Sequence, residues 1–423
     1  MFNIKNKVFC SNGEEQFILA DTCWSAFTNA TIEDWKYYIN YRAKQGFNVI
    51  QVNLLRQWDA SASDLGLHPF DVNEDGTYNF SEVNDKYFDR VYEMVKFAKQ
   101  KGITVALVLF WVNYLPDTWA TKLKKTSLFP KELVEEYIDF VVEKFGELEP
   151  IFFISGDTDF PSSEVINEYY NKALNRLKEI SPKSLAALHI RGREPKIPDD
   201  LRLNNNLDFY MYQSGHNIEY QYMAYTLAEK FNSTIPKRPV INSEPCYELM
   251  GYSRRVYGRF SREDVRRVAW QSVFSGANAG ITYGAHGIWS WHNEQLEFDS
   301  SVGEAFETPY DWRDALKFEG AWDYSFLRRF VEKEKIFHGE PDQSILLNDT
   351  DEIRVIKVKD RIYVYIPSNI KIRLKGQYNS KNIYYIDLET KNVENAKVEY
   401  VEDENKTNIL MHGFTRDTVL VIK

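Results

Sequence analysis

Residues 17–53 read FILADTCWSAFTNATIEDWKYYINYRAKQGFNVIQVN, and this stretch decides the fold. The apolar run 17–20 ends abruptly in Asp21 and Thr22, as a strand buried in a sheet does. Thr31-Ile-Glu-Asp34 has the form of a capping box, which starts a helix over 31–45, and Gly46 supplies the left-handed turn that closes it. A second apolar run, 48–53, follows at once. Strand, helix and strand in that order form a βαβ unit, whose strands lie parallel.

The same alternation continues through three quarters of the chain. Helices are predicted over 84–101 and 130–145, closing on Gly102 and Gly146, with a third strand at 104–110. Further strands fall at 151–155, 185–190, 207–212, 239–242 and 280–283, separated by helices near 163–180, 218–231 and 261–275. A last helix covers 312–335. Eight strands close a (β/α)8 barrel, so the class is α/β with a TIM barrel over residues 1–335. From Gly339 the pattern changes to strict alternation, Ile353-Arg-Val-Ile-Lys-Val and Arg361-Ile-Tyr-Val-Tyr-Ile, with turns expected at Asp360-Arg361 and Asn379-Ser380. That predicts a small antiparallel β-sandwich domain over 336–423. No low-complexity linker separates the two, so they are expected to pack together.

The 423 residues are 43% hydrophobic and 15% aromatic, enough for a large core, which excludes intrinsic disorder. Lys plus Arg number 52 against 62 Asp plus Glu, and the net charge of −10 disfavours nucleic acid and anionic membrane surfaces as partners. The longest apolar runs are about ten residues, half of what a membrane-spanning helix needs. The first ten residues, MFNIKNKVFC, have no apolar core or small-residue cleavage site, which predicts a cytoplasmic location. Cys10, Cys23 and Cys246 form no CxxC pair and are expected as reduced, mostly buried thiols.

Barrel enzymes carry their chemistry at the C-terminal ends of the strands. Those ends hold Asp21 and Trp24, Gln57, Trp111, Asp157 and Asp159, His189, Gln213 and His216, then Glu244, Tyr247 and Glu248, and finally Tyr283, His286, Trp289 and Trp291. Carboxylates and amides interleaved with indoles suit a sugar, whose hydroxyls need polar partners while its C–H faces stack on aromatic rings. Asp157 and Glu244, from strands four and seven, are the candidate carboxylate pair that glycosidic cleavage requires. The plain alternative for Asp157 is a helix cap, and for Glu244 a buried salt bridge with Arg56 or Arg191. The three histidines show no HxH or HExxH spacing, and there is no Gly-rich phosphate loop, so neither a metal nor a cofactor is expected.

The stretches 17–24 and 31–51, with Ser155-Gly-Asp157 and Asn242-Ser-Glu-Pro-Cys-Tyr-Glu248, resemble the apiosidase-like glycoside hydrolases, formerly grouped as DUF4038, in a retaining clan of barrel glycosidases. The tail resembles the β domain, named for collagen binding, that often follows this barrel, although nothing in its sequence suggests a collagen site. The resemblance implies that Asp157 is the acid/base and Glu244 the nucleophile of a retaining enzyme acting on plant cell-wall-type oligosaccharides. Many clan members carry Asn-Glu on the fourth strand, whereas this chain has Gly156-Asp157. Retention requires the two carboxyl groups to lie about 5–5.5 Å apart and the acid to hold a raised pKa. Substrate contacts are expected from Asp21, Trp24, Gln57, Trp111, Asp159, His189, Gln213, Tyr247, Glu248, Tyr283, His286 and Trp289. A silent carbohydrate-binding barrel and a transglycosylase using the same carboxylates are the alternatives, and oligomeric state is left open.

Overall fold

The computed structural model describes residues 1–57, 63–124, 127–298, 306–378 and 382–423. Eight parallel strands form one sheet: β1 (Ile18–Thr22), β2 (Val49–Asn53), β3 (Thr104–Trp111), β4 (Ile151–Thr158), β5 (Ala186–Ile190), β6 (Tyr210–Tyr212), β7 (Val240–Asn242) and β8 (Gly280–Tyr283). They follow one another around the sheet, with β8 beside β1, and the sheet curls into a barrel. The seam between β5 and β6 has no regular ladder. It is closed by Asp208 N–H to Ala186 C=O and by Arg193 N–H to Gln213 C=O, each at 3.0 Å.

The helices cover the barrel as the sequence predicts, with local differences that have physical causes. Thr31 caps Ile32–Lys44 by accepting the Asp34 N–H, and Gly46 and Gly102 turn left-handed at φ 81° and 77°. Gly146 does not: at φ −56° it continues into a 3₁₀ turn, and Glu149 makes the left-handed turn at φ 58°. The expected helix 312–335 is two, Trp312–Ala315 and Gly320–Glu334, because the Glu248 carboxylate accepts the Gly320 N–H and starts the second one there. The helix near 163–180 opens as a π-helix, Val165–Asn171, before Lys172–Ile180.

An N-terminal hairpin set, Phe2–Lys5, Val8–Ser11 and Glu14–Gln16, closes the bottom of the barrel, where Phe9 meets Phe209 edge-on at 5.2 Å. The C-terminal part is a β-sandwich. Its larger sheet runs Glu340–Pro341, Arg354–Val358, Arg361–Ile366, Thr418–Ile422, Ile383–Asp387 and Val393–Asn395 in spatial order, all antiparallel, and its smaller sheet holds Ile372–Lys375, Lys406–Ile409 and Val398–Val401. Alternate residues such as Val355, Val364 and Leu420 fill the space between the sheets. Residues of the opposite set, including Tyr363 and Tyr365, pack on the barrel. Tyr365 stacks on Trp270 at 6.2 Å, and buried Arg266 bridges Asp323 of the barrel to Asp417 of the sandwich. The first expected turn sits one residue earlier, at Lys359-Asp360, because Val358 pairs with Arg361. Asn379-Ser380 lies outside the described residues. The three cysteines are free and buried. Among the described residues no helix is long and apolar enough to cross a membrane.

Candidate active site

Glu244 follows β7 on a backbone that is tied down on both sides. The Asn242 side chain donates to Ser214 Oγ and Ser272 Oγ, each at 3.0 Å, and the Glu244 carbonyl accepts the Gly215 N–H at 3.1 Å. Its carboxylate is buried between two imidazoles. His216 Nε2 lies 2.8 Å from Oε1, while His189 Nε2 lies 3.2 Å from Oε2 without hydrogen-bond alignment. The Asp157 N–H donates to His189 Nδ1 at 3.1 Å, which makes Nδ1 the acceptor and leaves the ring proton on Nε2, facing Glu244. Burial opposes ionisation of Glu244, but the two imidazoles outweigh it and bring its pKa down to about 2.

Asp157 reaches this cluster through an irregularity in β4. Leu188 of β5 pairs with Ser155 and Ile190 with Thr158, so β4 carries one extra residue across that step. Asp157 sits in this bulge at φ 57°, a left-handed conformation that costs a non-glycine residue roughly 1–2 kcal/mol. Bulges re-aim side chains, and the strain here falls on the candidate acid itself. Gly156 is required beside it, since a Cβ there would lie 2.1 Å from Trp111 Cε3. The Trp119 indole donates to the Asp157 carbonyl at 3.0 Å and fixes the far side of the bulge.

Aromatic rings surround His189. Trp24 packs 5.2 Å from Trp111 and 5.1 Å from His189, and Trp111 stacks on His189 at 6.0 Å. Trp24 Nε1 donates to the Tyr247 hydroxyl at 3.2 Å, and the Tyr247 ring lies over Gly284, where a Cβ would meet it at 1.9 Å. Burial first, then the neighbouring Glu244 charge, push the Tyr247 phenol well up. Two glycines thus let two rings lie flat against strand ends. The sequence shows the glycines and the rings, but their partnership exists only once β3 meets β4 and β7 meets β8.

Of the other expected contact residues, Asp159 and Gln213 each keep a buried side-chain oxygen without a protein partner, and buried Gln57 accepts the Ser25 hydroxyl at 3.3 Å. Five expectations are corrected. Asp21 is fully buried against Arg42 at 2.5 Å and Tyr38 at 2.7 Å, so it supports the barrel rather than a sugar. His189 is fully buried and links the Asp157 backbone to Glu244 instead of holding a hydroxyl. Glu248 takes the Tyr283 hydroxyl at 2.5 Å as well as the Gly320 N–H, which removes both Glu248 and Tyr283 from the site. His286 spends Nε2 on the Glu307 carbonyl at 2.6 Å and Nδ1 on Trp289 Nε1 at 3.0 Å, so neither ring nitrogen is available. Trp289 stacks on His286 and Trp291 on Trp312, both buried. Arg56 pairs with Asp64 at 2.8 Å and Arg191 lies near Asp159 and Glu194, so neither neutralises Glu244. His216 carries a role that sequence reasoning did not give it; its signal was the Gln213-Ser-Gly-His216 end of strand six. Asn53, which ends strand two, was given no contact role either, although both polar atoms of its buried side chain lack a partner.

The ends of β4, β5 and β7 thus bring the Asp157 backbone, His189 and Glu244 together beside Trp24 and Trp111, at one face of a parallel eight-stranded barrel. The chain matches the apiosidase-like catalytic domain over residues 5–338 and belongs to that family. No curated protein matches it. Among solved structures, one described as a glycoside hydrolase is 23% identical with a TM-score of 0.79, over 100% of this chain and 96% of the other. A glycoside hydrolase family 5 structure from Bacteroides vulgatus ATCC 8482 is 22% identical with the same TM-score, over 100% and 93%. An endo-beta-1,4-mannanase from Thermotoga petrophila is 13% identical with a TM-score of 0.50, over 97% and 98%. At these identities the likeness is one of fold.

Proposed function

We propose that the protein hydrolyses a glycosidic bond by double displacement, with net retention, on plant cell-wall-type oligosaccharides. The observation that carries this reading is the buried carboxylate of Glu244 facing His216 Nε2 and His189 Nε2, with the other His189 nitrogen accepting the Asp157 N–H. A nucleophile must be ionised at working pH, and burial strips it of the water that would weaken its attack.

In the first step Glu244 attacks the anomeric carbon while the Asp157 carboxylic acid gives its proton to the departing oxygen. The bond to the aglycone breaks and a glycosyl ester forms. In the second step Asp157, now a carboxylate, takes a proton from water, whose oxygen displaces Glu244 and releases the sugar. Trp24 and Trp111 supply apolar faces for the ring, and Gln213, Asp159 and Asn53 supply partners for its hydroxyls. The assignment to cell-wall sugars draws on the family's character.

The test is a screen of aryl pyranosides and furanosides together with plant oligosaccharides, run on the wild type, Asp157→Ala and Glu244→Ala, with the first-formed anomer followed by NMR. Expected are a retained anomer and loss of turnover in Glu244→Ala, with Asp157→Ala losing about 10²- to 10⁴-fold. An inverted first product overturns the double displacement, and full turnover in either variant removes that residue from its role.

A further inference from the structure

The barrel and the sandwich enclose a cleft of about 520 Å³, walled by the segment after β6, by Arg267 and Gln271 of the helix Arg262–Phe274 and, from the sandwich, by residues such as Glu352 and Ser368. That volume is in the range of small-molecule sites. We infer that this cleft is a distal binding site for a neutral oligosaccharide, held between the barrel and the β-sandwich. The inference rests on the reading of the mouth as a carbohydrate site.

One short stretch of chain serves both places. His216 faces Glu244, and five residues later Gln221 lines the cleft, its amide donating to the carbonyls of Asn217 at 2.8 Å and Gly215 at 3.4 Å. The Gln221 Oε1 atom is buried with no protein partner. Arg193, just past β5, lies over the Tyr220 ring at 5.1 Å, and Tyr220 meets Tyr222 at 6.3 Å. Tyr222 itself lines the cleft and is 42% exposed. Such a ring offers a stacking face to a sugar.

The cleft is preformed. Glu352, from the sandwich, is held by barrel groups, with Gln271 donating to its carboxylate at 2.9 Å and the Tyr225 hydroxyl at 3.3 Å. Its charges favour a neutral ligand: Glu219 lies 3.8 Å from Arg254 and Arg267 3.4 Å from Asp264, which leaves the Glu352 carboxylate as the charge facing a bound molecule. A uronate would meet net repulsion here.

The test uses the full chain carrying Glu244→Gln, so that no ligand is consumed, alone and combined with Tyr222→Ala or with Ser368→Arg, which fills the cleft from the sandwich side. Each protein is titrated by calorimetry with xylotetraose, cellotetraose, mannotetraose and a galacturonan tetramer. At least one neutral tetrasaccharide is expected to bind, with Kd raised about tenfold in both cleft variants. In the active enzyme, the ratio of kcat/KM for a cleaved oligosaccharide to that for an aryl monoglycoside should fall about tenfold. Equal affinities across the three proteins overturn the distal site, and turnover by the wild type then shows that the catalytic reading survives. Binding that depends on the cleft, without turnover of any substrate, keeps the distal site and overturns the hydrolase. Binding of the galacturonan alone, or of no tetrasaccharide, overturns the inference.

Discussion

Glu244 and Glu248 stand four residues apart after the same strand, and both are buried, yet they are held in opposite ways. At the mouth, Glu244 faces two imidazoles and drops to about pKa 2. Behind it, burial dominates at Glu248, and a tyrosine hydroxyl with a helix N–H fails to offset it, so the pKa climbs to about 7. Burial alone raises a carboxyl pKa; the donors around it decide whether charge survives. One chain segment thus presents an ionised group to the mouth and, one helical turn's worth of sequence later, a proton-holding group to the Gly320–Glu334 helix.

The sharpest way to break this contrast is to remove each carboxyl in turn. Glu244→Ala should lose at least about 10⁴-fold in kcat/KM, whereas Glu248→Gln should stay within about tenfold, because its carboxyl is spent on Tyr283 and the Gly320 N–H. Comparable losses would erase the distinction. For stability the order reverses in pH. The raised pKa of Glu248 means that its contribution is complete below the unfolded value of 4.5 and is lost as pH rises toward about 7. Thermal melts from pH 4.5 to 8 should therefore show a falling slope, on the order of 3 kcal/mol in total, that Glu248→Gln flattens. Glu244, with its lowered pKa, adds stability above pH 4.5 that disappears as pH falls toward about 2.

A smaller effect tests the packing that places the acid. Gly156→Ala must displace Trp111 and should cost about 1–3 kcal/mol in denaturant unfolding, with kcat lowered more than KM. An unchanged kcat would detach the bulge from the chemistry. The least effect concerns the imidazoles. In His216→Ala, burial is left less opposed, so the Glu244 pKa rises and the acid limb of kcat/KM should move up by about one pH unit or more. A limb that stays in place would assign the ionised state to His189 alone.

The barrel was legible because period and punctuation agreed: apolar runs, Thr31 at a helix start, Gly46 and Gly102 at helix ends. The β-sandwich was legible for the same reason, in the alternation at 353–358 and 361–366. Candidate carboxylates were legible because barrel topology sends every strand's C-terminal end to one face. Their neighbours were not. Asp21 looked like a ligand from its position after β1, but Arg42 comes from the following helix and claims it. His286 and Tyr283 ended β8 as binding residues should, and Glu307 and Glu248 claimed them.

Local rules govern what a residue does to its own backbone, so capping, turn chemistry and periodicity determined from the sequence alone that this chain forms a (β/α)8 barrel with a β-sandwich behind it. Which acid is charged, which histidine binds nothing but protein, and where a ring can lie flat depend on groups tens or hundreds of residues away. Desolvation and partner geometry set those properties, and only the closed barrel, with His189, His216 and Glu244 drawn onto one another, decided them.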